Sequence, residues 1–191
     1  WALMLNLPNF LTLLRILTIP VFLEFLSYRF FWEALLVFAI GGLTDFLDGF
    51  VARWMNQQTP LGAYLDPVAD KLLVITSFVM LGSMDGIPMW LVIVVIARDL
   101  LLVLGYGIIY FLVEERLQVK PTIIGKWSTT FQLLTLAIAL VTLDQPKLLP
   151  AVTLDVFVDV TAIVTVVSGC QYLYRGLVWL QTKAPSITRL G

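Results

Sequence analysis

The chain has 191 residues, 60% of them hydrophobic and 13% charged, with a formal net charge of −1 and no histidine. A mean hydropathy of +0.94 leaves too little polar residue to coat a surface in water, which excludes an ordinary soluble domain. A single cysteine, Cys170, excludes an intrachain disulfide, and without histidine any general-base work falls to Asp, Glu, Lys or Tyr.

The composition predicts an all-α integral membrane protein, a single domain over residues 1–191 with about six transmembrane helices. Residues 1–8 form an amphipathic lead-in that the Asn6-Leu-Pro8-Asn9 stretch interrupts. Asn9 is the expected cap of the first span, which runs to Leu26 and continues the early apolar stretch without a signal-peptide cleavage pattern. This span carries Arg15 near its start, a charge that either snorkels to lipid phosphate or meets an anion in a site. A turn with aromatic residues at 28–31 leads to a second span over 32–53, with Gly41 and Gly42 at mid-span as a close-packing point. The third span covers 61–81. The loop Gly82–Pro88 then lies on the opposite side of the membrane.

The fourth span, 89–112, holds Arg98 and Asp99 well inside it, and a charged pair at that depth is a candidate functional site or an ion pair that ties helices together. The polar loop 113–120 precedes a fifth span that opens at Pro121-Thr122 and runs to Val141, with Lys126 in its first turns. The sixth span runs from Val152 to Leu180. Asp155 and Asp159 near its start read as interfacial charges, and residues 181–191 read as a loose polar tail. Arg53, Arg116, Lys120, Lys183 and Arg189 fall on one side, against Arg29 and Lys147 on the other. The positive-inside rule therefore puts both termini in the cytoplasm, as in a bacterial inner membrane or its equivalent. No internal repeat and no nucleic-acid signal is present.

One stretch carries most of the chemistry. Asp45, Asp48, Gly49, Ala52 and Arg53 close the second span; Gly62, Asp66 and Asp70 open the third. Asp45 and Asp48 are three apart and Asp66 and Asp70 four apart, so each pair shares a helix face. Four uncompensated carboxylates repel, and the usual resolutions are protonation or bound cations. Hard divalent metals prefer oxygen ligands, and a pair of them suits phosphate transfer. Gly49 and Gly62 leave room for a ligand to approach the backbone, and Arg53 offers a fork of donors to phosphate.

The pattern Asp-x2-Asp-Gly-x2-Ala-Arg-x8-Gly-x3-Asp-x3-Asp resembles, without gap or mismatch, the signature of the CDP-alcohol phosphotransferases. The resemblance implies a membrane enzyme that moves a phosphatidyl group from CDP-diacylglycerol to an alcohol and releases CMP. It implies Mg²⁺ or Mn²⁺, two ions, on Asp45, Asp48, Asp66 and Asp70, with Asp70 as general base. It implies donor-nucleotide binding by Asp48, Gly49, Ala52, Arg53, Gly62 and Asp66 and a homodimer among membrane lipids, while the positive-inside rule puts the active site, like the termini, on the cytoplasmic side. Arg15, Arg98 and Lys126 are the candidates for acceptor or lipid phosphate, and Lys71 either neutralises a phosphate or snorkels.

The acceptor is read from weaker features. Gly42-Leu-Thr-Asp45, Ala97-Arg98-Asp99, Val119-Lys-Pro-Thr122 and Gly125-Lys126-x2-Thr129-x2-Gln132 look more like CMP-forming cardiolipin synthases, over roughly residues 6–140. Phosphatidylglycerophosphate synthases show Arg-Glu in the fourth span and a second arginine two turns later, where this chain has Tyr106. Phosphatidylglycerol is therefore the expected acceptor, with glycerol 3-phosphate as the alternative and inositol phosphates a third option. Two readings from other classes are a divalent-cation transporter, disfavoured by the absence of repeats and by carboxylates at one face, and a membrane scaffold. Metal-dependent CMP release separates the enzyme from both.

Overall fold

A computed structural model describes the backbone of residues 7–55, 60–113 and 122–187, with side chains at 13–14, 16–44, 69, 71–105, 122–150, 152–178 and 181. Six α-helices account for it: α1 (Leu7–Ser27), α2 (Phe31–Met55), α3 (Pro60–Ser83), α4 (Met89–Val113), α5 (Ile123–Asp144) and α6 (Ala151–Ile187). Each apolar run of the sequence becomes one helix, and the described interruptions at 28–30, 84–88 and 145–150 become turns. No strand occurs among the described residues.

The turns on one side are tight because two helices end in left-handed caps. Arg29 has φ 59°, with Arg29 N–H donating to Leu26 O at 2.9 Å and Phe30 N–H to Phe25 O at 2.9 Å. Asp85, also at φ 59°, closes α3 the same way, with Gly86 N–H donating to Leu81 O at 2.9 Å. These paired bonds satisfy carbonyls that a helix end otherwise leaves open, and they turn the chain within a few residues. On the opposite end, α5 starts from Thr122, whose hydroxyl accepts from Gly125 N–H at 3.0 Å.

Three expectations need correction. Helix α1 begins at Leu7, so Asn9 lies inside it rather than capping it; Pro8 falls in the first turn, where a missing N–H costs nothing. Thr122, rather than a proline, opens α5, and Pro121 lies outside the described residues. The segment 181–187 is helical, not loose: Gln181 to Ala184 continue a helix already running, and Pro185 falls in its last turn. The lead-in at 1–6 and the loop at 114–121 also lie outside the described residues.

Helix α1 packs on α2 and α3; α5 packs on α6, α2 and α3; α4 packs on α6 and α3. Phe22, Leu26, Phe78, Leu81, Leu91, Leu136 and Leu140 are wholly buried between these helices. The Phe22 and Phe38 rings meet with centroids 6.0 Å apart. Of the two mid-helix glycines, Gly41 is buried and does the packing: a Cβ there would lie 3.7 Å from Leu73 Cδ2 and 3.9 Å from Thr18 Oγ1. Gly42 faces open space.

The exterior is greasy. Leu17, Ile40, Ile93, Val103, Ile163 and Leu177 are each more than half exposed. Arg98, Asp99, Ser128, Gln132, Thr135, Thr161, Thr165 and Ser168 are buried instead. Among the described residues, 123–144 and 152–178 are long and apolar enough to cross a membrane, and 16–27, 31–44 and 71–83 form shorter apolar helical stretches.

Packing of this kind makes a sharp contrast between neighbours. Phe78→Ala removes a wholly buried ring and is expected to cost about 3–5 kcal/mol. Val79→Ala, one residue away on the exposed face, should change stability by less than about 0.5 kcal/mol. Equilibrium unfolding in mixed detergent micelles checks both.

Candidate active site

Helices α2 and α3 carry the signature on either side of the 56–59 connection. Asp45, Asp48, Gly49, Ala52 and Arg53 lie on the last turns of α2, and Gly62, Asp66 and Asp70 on the first turns of α3. The backbone is helical through both stretches, so the three- and four-residue spacings keep each aspartate pair on one face of its helix. Their side chains, and that of Arg15 in α1, lie outside the described residues. No cluster of three metal-ligating side chains occurs among the described residues.

The described part of the site begins one residue after Asp70. Lys71 Nζ donates to Asp99 Oδ2 at 2.7 Å, from α3 to α4. Arg98 NH1 donates to the other carboxylate oxygen, Asp99 Oδ1, also at 2.7 Å. Asp99 is thus bridged by two cations, one from each helix. Arg98 and Asp99 are 6% and 4% exposed, so both ions are out of solvent, whereas the Lys71 side chain is 39% exposed. A buried ion pair costs several kcal/mol of desolvation per ion and persists only where its geometry is good and its remaining donors are satisfied. Arg98 NH2 donates to Ser168 Oγ of α6 at 3.0 Å, and its guanidinium lies 5.9 Å from the Tyr172 ring centroid, within cation–π range. Arg98 Nε is buried and has no hydrogen-bond partner among the described residues. It is a donor turned away from water.

Tyr172 extends the network to α5. Its hydroxyl accepts from Thr122 N–H at 3.1 Å, fixing the N-terminus of α5 against α6. The approach is close enough to require glycine at 125, where a Cβ would lie 2.9 Å from the Tyr172 hydroxyl and 3.0 Å from Thr122 Oγ1. Below this point α5 and α6 are joined by a polar seam. Ser128 Oγ and Thr165 Oγ1 are 3.1 Å apart, Gln132 Nε2 donates to both at 3.3 Å, and Thr135 and Thr161 share a 2.7 Å hydrogen bond. Lys126 stands exposed in the first turn of α5.

The structure therefore treats the expected residues differently. Arg98 and Asp99 form a buried ion pair, and their contacts with Lys71 and Ser168 tie α4 to α3 and α6. Lys71 is engaged by Asp99 rather than snorkelling away. Lys126 has no described contact with this cluster. Ser168 and Tyr172 were not anticipated, although Thr161, Thr165, Ser168 and Tyr172 recur at helical spacing along α6, a polar stripe in an otherwise apolar run.

The comparisons with known proteins fit this layout. The model of the CDP-alcohol phosphatidyltransferase family matches residues 5–174, spanning the signature, the ionic cluster and Tyr172. The chain belongs to that family. It is 32% identical to a CDP-diacylglycerol–glycerol-3-phosphate 3-phosphatidyltransferase of Bacillus subtilis, over 94% of this chain and 100% of the relative. It is 34% identical to a protein of the same name in Aquifex aeolicus, over 90% of this chain and 96% of the relative. It is 35% identical to human cardiolipin synthase (CMP-forming), over 90% of this chain and 62% of the relative.

The Tyr172 contact makes a paired prediction. Tyr172→Phe leaves the buried Thr122 N–H without its acceptor and is expected to cost about 1–3 kcal/mol. Gly125→Ala collides with the same hydroxyl, so it should destabilise less in the Tyr172→Phe background than in the native chain. Thermal unfolding of the two single variants and the double variant in detergent reads the coupling.

Proposed function

We propose that this phosphatidyltransferase is an integral membrane enzyme of six spanning helices that moves the phosphatidyl group of CDP-diacylglycerol to glycerol 3-phosphate and releases CMP. The supporting observation is the cationic cluster one residue beyond Asp70. The Tyr106 argument for phosphatidylglycerol weighed a missing cation on α4. Among the described residues the fold brings Lys71 of α3 to the same carboxylate as Arg98, so two cations stand against one carboxylate. Two cations side by side suit a phosphate dianion. The relatives matched over nearly their whole length also take their names from glycerol 3-phosphate.

The donor set fits a divalent metal. Asp45, Asp48, Asp66 and Asp70 offer only hard oxygen ligands, paired on two helix ends joined by a short connection. These residues would hold Mg²⁺ or Mn²⁺, which when bound supplies positive charge for the donor pyrophosphate. Arg53 and the small residues Gly49, Ala52 and Gly62 would receive the nucleotide. Asp70 would take the proton of the acceptor hydroxyl as its oxygen bonds to the lipid-side phosphorus. The bond from that phosphorus to the bridging oxygen breaks, and CMP leaves with the electron pair. Lys71 and Arg98 would hold the acceptor phosphate so that attack is in line. The greasy exterior leaves the lipid tails of the donor in hydrocarbon throughout. A homodimer with cytoplasmic termini is the assembly we propose for it.

Phosphatidylglycerol is the second reading. The Ala97-Arg98-Asp99 and 119–132 patterns favour it, as does the similarity to the human relative. Purified protein in lipid, with CDP-diacylglycerol and Mg²⁺, decides between them. CMP release is expected with glycerol 3-phosphate, lowered at least about 100-fold in Asp70→Asn. Release with phosphatidylglycerol alone would move the assignment to cardiolipin formation. Release with neither would overturn both.

A further inference from the structure

Asp99 bonds both Lys71 and Arg98, yet as an anion it would repel a phosphate, so its place beside the site calls for another explanation. Lys71 follows Asp70 directly on α3. Successive helix positions are set about 100° apart, so the direction in which Lys71 is held fixes the rotation of α3 at Asp70. The partner that holds Lys71 is Asp99, which is itself anchored: Arg98 grips its second oxygen, and Ser168 and the Tyr172 ring brace Arg98 from α6.

We infer that Asp99 is a positioning residue for the transfer reaction: through Lys71 it sets the rotation of α3 that presents Asp70. The chain of contacts runs from α3 through α4 to α6, and Arg98, Asp99 and Ser168 in it are buried while Lys71 and Tyr172 remain partly open. On this reading Asp99 acts through Lys71 and not by contact with a substrate. Its effect falls on the rate of the bonded complex rather than on the affinity for the donor. The inference rests on the phosphatidyl-transfer reading and is independent of which acceptor is used.

The test uses full-length protein in lipid with CDP-diacylglycerol, Mg²⁺ and whichever acceptor the native chain accepts. Asp99→Asn keeps the volume and removes the charge; Lys71→Met removes the partner. Each is expected to lower kcat about 30-fold with KM for CDP-diacylglycerol held within about threefold. The double variant should be no slower than Lys71→Met alone, because Asp99 acts through Lys71, which that variant has already removed. Asp99→Glu, which retains the charge, should recover part of the loss. A readout without turnover accompanies this: acetylation of Lys71 by an amine-directed reagent, followed by mass spectrometry with exposed Lys126 as internal reference, should quicken severalfold in Asp99→Asn. Multiplicative losses in the double variant, an unchanged kcat in Asp99→Asn, a change confined to acceptor KM, or unchanged Lys71 labelling would each overturn the inference. A native chain that releases no CMP with any acceptor would overturn the function reading instead.

Discussion

The bonding of one buried carboxylate by two cations holds the site end of the molecule together. Asp99 lies where charge is expensive, and it is stable there because Lys71 and Arg98 each give it a 2.7 Å hydrogen bond. Helices α3, α4 and α6 must then keep their relative rotation, since a shift in any one of them strands a buried charge. Leaving such a charge uncompensated costs about 3–5 kcal/mol, more than most single packing contacts. Asp66 and Asp70 of the signature share helix α3 with this clamp, so their chemistry and the packing are constrained by the same contacts.

The distribution of polar groups follows from the solvent. In water a protein buries apolar residues and exposes polar ones; here Leu17, Ile93 and Val103 face outward while hydroxyls and an amide line the α5–α6 contact. Apolar side chains gain little by leaving hydrocarbon for one another, so helix association depends on close packing and on hydrogen bonds between helices. The Ser128–Thr165–Gln132 and Thr135–Thr161 contacts supply the second, and Gly41 supplies the first. Tyr172 belongs to both systems, with its ring beneath Arg98 and its hydroxyl on the first turn of α5.

Helix number and order were legible in the sequence because each apolar run ends in residues that stop a helix or favour water, as at 28–30, 84–88 and 145–150. The boundaries that were missed depend on local chemistry that composition does not weigh. Pro8 can sit in a first turn, and Gln181 to Ala184 extend a helix they would not start. The paired aspartates were legible as a spaced motif, and their helical placement follows from it. The bond between Lys71 and Asp99 was not legible, because 28 residues separate them and periodicity alone does not say which helix faces meet. The same limit hid Tyr172 and left open whether Lys71 faces Arg98 or the lipid.

The central claim is that the bond broken lies between the lipid-side phosphorus and CMP. The direct measurement labels that lipid-side phosphate of CDP-diacylglycerol with a radioactive phosphorus and follows it through one turnover with glycerol 3-phosphate. The account predicts the label in the organic phase, in the lipid product, with unlabelled CMP in the water. Label released into the aqueous phase as CDP or inorganic phosphate would contradict it.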